Sequence, residues 1–192
     1  MNLPNKLTML RIILTPVFLA VLYWGFPGAD YVALAIFIIA SLTDLLDGKI
    51  ARKYNLVTDF GKFADPLADK ILVVAAMPWF VERGRMPAWM VMAVITREFA
   101  VSGLRMVASD NGRVIAAGWS GKVKTASTMA CIVVMLLLGP TIAFYTDPNA
   151  LTALPAGYFT WIDPVCGWVI TLTTLYSGVE YFMKNRDVIR SA

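Results

Sequence analysis

The sequence predicts an all-α integral membrane protein: six transmembrane helices preceded by a short N-terminal interfacial segment. Three observations predict it. Of 192 residues, 58% are hydrophobic and 16% charged, with a mean hydropathy of +0.66. An ordinary soluble domain is about 25% charged, so these charges are too few to cover a water-exposed surface. Six apolar stretches follow one another along the chain. Finally, only Arg83 and Arg85 among the 17 Lys and Arg residues fall outside one common side of those stretches.

The stretches run approximately over residues 7–26, 31–47, 65–81, 87–107, 125–145 and 158–183. A spanning helix needs about 20 residues, with about 17 as a minimum. The first, fourth, fifth and sixth meet this directly. The second and third meet it only if the polar residues at their inner ends are helical, and both end in acidic clusters. Residues Asn2 to Lys6 are expected to lie along the interface before the first span. No small-residue cleavage site follows the first apolar run, so it is not read as a cleaved signal peptide. Trp24, Trp79, Trp89 and Trp161 fall near span ends, where interfacial anchors belong. No repeat or soluble domain interrupts the pattern, and residues 1–192 read as a single domain. The excess of Lys and Arg on one side places both termini and the acidic clusters in the cytoplasm. The pI near 9.1 then reflects basic groups gathered at one membrane face rather than nucleic-acid binding.

The chain has no histidine. Imidazole acid/base chemistry, His-containing triads and His-ligated metals are thereby excluded. Cys131 and Cys166 both sit in apolar stretches, form no metal-type cluster and read as packing residues. Chemistry must come from carboxylates, Lys, Arg, hydroxyls or backbone.

The acids are concentrated in Asp44-Leu-Leu-Asp47-Gly48-Lys-Ile-Ala51-Arg52 and, after eight residues, Gly61-Lys-Phe-Ala-Asp65-Pro-Leu-Ala-Asp69. Asp44 and Asp47 are three apart and Asp65 and Asp69 four apart, so each pair shares a helix face. Gly48, Ala51 and Gly61 keep the same period and remove bulk beside the carboxylates. Two antiparallel helices joined by a short turn would bring the stripes together at the cytoplasmic boundary. Carboxylates gathered near hydrocarbon repel one another and are costly, whereas hard divalent cations such as Mg²⁺ or Mn²⁺ are suited to an oxygen-rich site. The competing reading is that these residues merely cap helix ends in water.

The run Asp-x2-Asp-Gly-x2-Ala-Arg-x8-Gly-x3-Asp-x3-Asp, complete from Asp44 to Asp69, resembles the signature of the CDP-alcohol phosphatidyltransferases. The likeness extends to the Asn-Leu-Pro-Asn-Lys-Leu-Thr start, to Arg97-Glu98-Phe99 through Arg105, to Gly121–Thr125, and to Ser177–Phe182. These flanks resemble the bacterial glycerol-3-phosphate branch. The resemblance implies the CDP-alcohol phosphotransferase fold and transfer of a phosphatidyl group from CDP-diacylglycerol to sn-glycerol 3-phosphate, with release of CMP. It further implies two divalent cations, a homodimer and a place in the bacterial cytoplasmic membrane. Carried over by residue, Asp44, Asp47, Asp65 and Asp69 are metal ligands, and Asp69 is also the general base. Asn5, Thr8, Gly48, Arg52 and Thr58 contact CDP-diacylglycerol. Each has a plainer alternative: Gly48 as a helix-packing residue, Thr58 as the cap of the third helix, Asn5 and Thr8 as caps of the first.

Arg97 and Glu98 lie inside the fourth span, and Arg105 follows eight residues later on a shared broad face. Lys122 and Lys124 open the fifth span. Such cations can bind a dianionic phosphate, Arg through its fork and Lys as a point charge. The resemblance assigns Arg97, Arg105 and Lys122 to the phosphate of glycerol 3-phosphate. The alternative is an Arg97–Glu98 or Arg97–Asp ion pair plus positive-inside charges, a reading that suits Lys124 best. Charge alone does not separate glycerol phosphate from inositol phosphate. Another member of the family, of phosphatidylinositol-phosphate or cardiolipin synthase type, is therefore the nearest alternative. A divalent-cation transporter would also hold carboxylates in a six-helix bundle, but it calls for polar residues through the membrane. Residues 31–40 and 71–79 are instead apolar. A lipid-binding scaffold would not require aligned carboxylates.

Overall fold

The computed structural model describes the backbone of residues 3–54, 59–110, 115, 118–146 and 161–187. Within it, side chains are described outside residues 3–4, 44–54, 59–67, 69, 110 and 139–146. Six helices follow in chain order: α1 (Leu3–Trp24), α2 (Ala29–Tyr54), α3 (Asp59–Glu82), α4 (Ala88–Asp110), α5 (Trp119–Thr146) and α6 (Ile162–Lys184). No strand occurs among the described residues. The shortest helix has 22 residues, about 33 Å at 1.5 Å per residue, which matches a hydrocarbon core of about 30 Å.

The helices correspond one for one to the six expected spans, with instructive differences at their ends. α1 begins at Leu3, so the expected separate interfacial segment is instead the first turn of α1. The helical backbone of α2 continues to Tyr54 and that of α3 starts at Asp59, which makes the acidic clusters helical. α5 starts at Trp119, ahead of its apolar run, and so encloses Lys122 and Lys124. Hydropathy marks where a helix is apolar, whereas backbone hydrogen bonding continues through good helix formers such as Ala, Lys and Arg. One expected interfacial anchor is corrected: Trp79 is 5% exposed and belongs to the core, while Trp24, Trp89 and Trp161 are exposed. A large aromatic ring packs in a helix interior when its register faces inward, and distance from the span end does not report register.

The chain forms two compact units: residues 1–79 with 132–160, and residues 80–131 with 161–192. In the first unit α1 and α2 form an antiparallel hairpin. Its connection reverses through Gly25 (φ +65°) and Gly28 (φ +88°), left-handed positions that favour glycine. The Ala29 N–H closes the turn onto the Phe26 carbonyl at 2.9 Å. Phe18 and Phe37 pack with ring centroids 6.0 Å apart, and Ala29, Ala33 and Ala40 keep the buried face of α2 small. The buried face of α1 changes character along its length. Phe18 and Leu22 are apolar, but Asn5, Thr8, Arg11 and Thr15 are polar.

In the second unit α4 and α6 pack side by side and run parallel. Arg85 meets Asp163, Trp89 meets Trp168, Arg97 meets Ser177 and Arg105 meets Tyr181, so the partner number rises with the residue number. Helices two apart in a chain that crosses back and forth must run the same way, and these do. Gly167 is required by close approach: a Cβ there would lie 3.2 Å from the Met90 sulfur. Cys166 is buried and Cys131 partly buried, both as free thiols, consistent with their reading as packing residues.

The exposure pattern of α6 is opposite to that of a soluble helix. Its buried stripe includes Thr171, Thr174, Ser177, Gly178 and Tyr181. Its exposed stripe includes Val165, Trp168, Leu172, Leu175, Val179 and Met183. In water a helix turns its apolar stripe inward. A polar interior under an apolar exterior is the arrangement that hydrocarbon solvent rewards. Among the described residues, Asn5–Trp24 and Trp119–Leu138 are long and apolar enough to cross a membrane by length and composition.

Arg85, to which no role attaches in the sequence alone, is structural. Its Nε and Nη2 donate to the two oxygens of Asp163, each at 2.7 Å, and its guanidinium lies 5.2 Å from the Phe80 ring centroid. This fork ties the start of α6 to the turn before α4. Asp163→Asn removes the counter-charge from a pair whose side chains are each 13% exposed. The expected loss is about 2–3 kcal/mol, just under that of a fully buried pair. It is read as a lower Tm in detergent, and adding Arg85→Gln should recover part of it. An unchanged Tm in Asp163→Asn would show that the bridge contributes nothing to stability.

Candidate functional site

The candidate acidic residues stand on α2 and α3. Asp44, Asp47, Gly48 and Arg52 stand on the last turns of α2, and Asp65 and Asp69 on the first half of α3. Helical backbone at all these positions preserves the three- and four-residue spacings that place each acidic pair on one helix face. Only backbone is described for these residues; Thr58, and the meeting of the two stripes across 55–58, lie outside the described residues. The donor set is all oxygen. Four carboxylates without sulfur or imidazole suit Mg²⁺ or Mn²⁺ and disfavour zinc. Among the described residues no other cluster of three potential ligands occurs.

α1 supplies a polar face within the same unit. Asn5 is 7% exposed and Thr8 1%, so both expected substrate contacts face the interior rather than solvent. Three residues on, Arg11 is 2% exposed and belongs to the same stripe. In the sequence Arg11 is one of the basic residues on the common side of the apolar stretches. The signal that would have found it is the spacing 5, 8, 11, 15, which is one helix face. The Thr15 hydroxyl donates back to the Arg11 carbonyl at 3.0 Å, so this hydroxyl costs nothing in the apolar interior. A buried arginine in a helix of this kind is there for pairing or for function.

The basic residues lie in the second unit. The side chain of Arg97 is 11% exposed; its Nη1 donates to Glu98 Oε1 at 3.0 Å and its Nη2 to Ser177 Oγ at 2.6 Å. Lys124 Nζ donates to the same Glu98 oxygen. Glu98 thus sits between two cations, and the triad carries a net charge of +1. Arg105 is more exposed. Its Nε donates to the Tyr181 hydroxyl at 3.2 Å, and its guanidinium lies 5.4 Å from that ring's centroid. Both arginines therefore turn the same way, toward α6, as their eight-residue spacing predicts.

Lys122 is exposed, whereas Lys124 is buried in the ion-pair cluster. The expected set of Arg97, Arg105 and Lys122 is therefore only partly gathered: the structure adds Lys124 and Glu98 to Arg97 and leaves Lys122 outside the cluster. A helix starting at Trp119 explains this, because positions 122 and 124 are about 200° apart around its axis and cannot share a face. The Arg97–Glu98 ion pair weighed from sequence is present. Ser177 and Tyr181, which receive the two arginines, were quoted in the sequence likeness without a role.

In the second unit, Arg97 and Lys124 against Glu98, among the described residues, can attract an anion; in the first, the aligned acids of α2 and α3 suit hard cations. The comparisons with known proteins agree with that chemistry. The family profile described as CDP-alcohol phosphatidyltransferase matches residues 1–175. A Bacillus subtilis protein named CDP-diacylglycerol–glycerol-3-phosphate 3-phosphatidyltransferase is 42% identical, covering 100% of this chain and 98% of its own length. Proteins of the same name from Rickettsia bellii and Salmonella paratyphi A are 34% and 40% identical. They cover 94% and 70% of this chain, and 93% and 76% of their own lengths. The chain belongs to the CDP-alcohol phosphatidyltransferase family.

Proposed function

We propose that this protein transfers the phosphatidyl group of CDP-diacylglycerol to sn-glycerol 3-phosphate, releasing CMP and forming phosphatidylglycerophosphate. The observation that carries this reading is the net-positive cluster inside the helices of the second unit. Arg97 and Lys124 share the single carboxylate of Glu98, and Arg105 adds a further positive charge two turns along α4. In an interior of low dielectric an excess positive charge calls for an anion. A dianionic acceptor phosphate supplies net negative charge, whereas zwitterionic serine and cationic choline do not. The names of the full-length relatives favour glycerol 3-phosphate over inositol phosphate as that acceptor.

The acceptor hydroxyl attacks the phosphorus that carries diacylglycerol, the bond to the CMP phosphate breaks, and the hydroxyl proton goes to Asp69. Arg97 and Arg105 hold the acceptor by its phosphate, which leaves its hydroxyl free to react. Asn5, Thr8, Arg52 and Thr58 contact the CDP portion, and Gly48 lets cytidine approach the helix. Asp44, Asp47, Asp65 and Asp69 would hold two divalent cations, whose positive charge would offset that of the pyrophosphate and of the departing CMP. The chain acts as one catalytic domain, as a homodimer, from a multi-pass position in the bacterial cytoplasmic membrane with both termini in the cytoplasm. The apolar exterior and polar interior of α6 support the membrane position.

Purified protein given CDP-diacylglycerol, Mg²⁺ or Mn²⁺ and a panel of acceptors should release CMP, fastest with glycerol 3-phosphate. Chelation should abolish release, and either cation should restore it. Absence of CMP with every acceptor overturns the enzyme reading; preference for inositol phosphate overturns only the acceptor. Asp69→Asn should lower kcat by about 10²–10⁴-fold, the usual contribution of a general base, while CDP-diacylglycerol binding persists. Near-normal kcat in that variant would remove Asp69 from the proton-accepting role.

Glu98→Ala leaves Arg97 and Lys124 facing each other without a counter-charge. A buried pair broken in this way costs roughly 3–5 kcal/mol, so the variant should show a clearly lower Tm. Added glycerol 3-phosphate should raise that Tm more than it raises that of the parent protein, because the ligand then supplies the missing negative charge. Equal stabilisation of both would disconnect the cluster from acceptor binding.

A further inference from the structure

We infer that α6 is a positioning element for the acceptor phosphate: Ser177, Gly178 and Tyr181 draw Arg97 and Arg105 together so that one anion can engage both. The inference rests on the reading that these arginines bind the acceptor. Arg97 and Arg105 are eight residues apart, so their backbones are separated by about 12 Å along α4. Arginines that extended straight outward would hold their charges too far apart for a single phosphate. Their anchors on α6 are Ser177 and Tyr181, four residues and about 6 Å apart. Since α4 and α6 run parallel, the two guanidinium groups converge, Arg97 reaching forward along the bundle and Arg105 reaching back.

Each anchor has its own geometry. Ser177 Oγ receives Arg97 Nη2 at 2.6 Å, and the neighbouring glycine makes room for the arginine stem. A Cβ at position 178 would lie 2.8 Å from Arg97 Cγ, 3.6 Å from Nε and 3.8 Å from Cδ. The stem thus crosses α6 where only glycine lets it pass. Tyr181 receives Arg105 in two ways, through its hydroxyl at 3.2 Å and beneath its ring at 5.4 Å. Ser177, Gly178 and Tyr181 are all buried, and Tyr181 is locked by packing against Val101, Leu104 and Ala108. The anchors are therefore more rigid than the arginines they hold, which is what pre-organisation of a binding group needs.

The test is a kinetic series on the full-length protein, with KM measured separately for glycerol 3-phosphate and CDP-diacylglycerol. Arg97→Ala and Arg105→Ala should each raise the acceptor KM about tenfold or more, the loss of one or two charge-assisted hydrogen bonds. Gly178→Ala should raise the acceptor KM about tenfold with little change in the KM for CDP-diacylglycerol, and its effect should disappear in an Arg97→Ala background, where no stem remains to be displaced. Tyr181→Phe keeps the ring and removes one oxygen, so it should fold and raise the acceptor KM about threefold; Tyr181→Leu should raise it further.

If the arginine variants leave the acceptor KM unchanged, the acceptor-site reading fails and the inference with it. If they raise it while Tyr181→Phe and Tyr181→Leu leave it unchanged, the positioning role alone is overturned. A purely structural role would lower Tm and kcat while leaving the ratio of the two KM values at that of the parent, and that outcome also overturns it.

Discussion

The carboxylate of Glu98, shared by Arg97 and Lys124 among apolar helices, is the contact on which the second unit depends. Removing it would leave two buried positive charges facing each other, which is costly where water does not screen them. The triad nevertheless stays net positive, which separates it from a purely structural pair. A structural pair gains by exact neutrality; a binding site gains by leaving charge for its ligand to complete. Ser177 adds a neutral partner to Arg97 rather than a second acid, and so preserves that excess.

From this constraint the surroundings follow. Hydroxyl groups populate the buried face of α6; Thr171 donates to the Gly167 carbonyl on the preceding turn at 2.8 Å, and Ser177 receives Arg97. Ser127 and Thr173 meet at 3.3 Å, linking α5 to α6 by a polar contact where a soluble protein would use leucines. The apolar residues are displaced to the exterior, where Leu172, Leu175 and Val179 face the solvent that suits them. The polar stripe Asn5, Thr8 and Arg11 on α1 repeats the same inversion in the first unit.

Much of this was legible in the sequence. Six helices could be read because long apolar runs without Gly/Pro clusters favour helix, and the six runs mark where the helices lie. The acidic signature could be read because its spacing is local, set by turns within α2 and within α3. Helix ends were less legible. α5 begins six residues before its apolar run, so Lys122 and Lys124 appeared equivalent until helical phase separated them, one exposed and one buried. Trp79 looked like an interfacial anchor for the same reason, since proximity to a span end carries no information about which way a side chain turns.

The sequence by itself determined the family, the all-helical architecture and the helical spacing of the acidic signature. These depend on composition and on spacings within single helices, which the chain carries wherever it folds. Only the tertiary structure decided which cations are neutralised and by what. Arg97 has a local carboxylate in Glu98, but the α6 partners of Arg85, Arg97 and Arg105 lie 78, 80 and 76 residues away. No local spacing encodes such pairings. They arise from the packing register of α4 on α6, set by where a glycine lets one side chain pass and where a buried tyrosine stops the next.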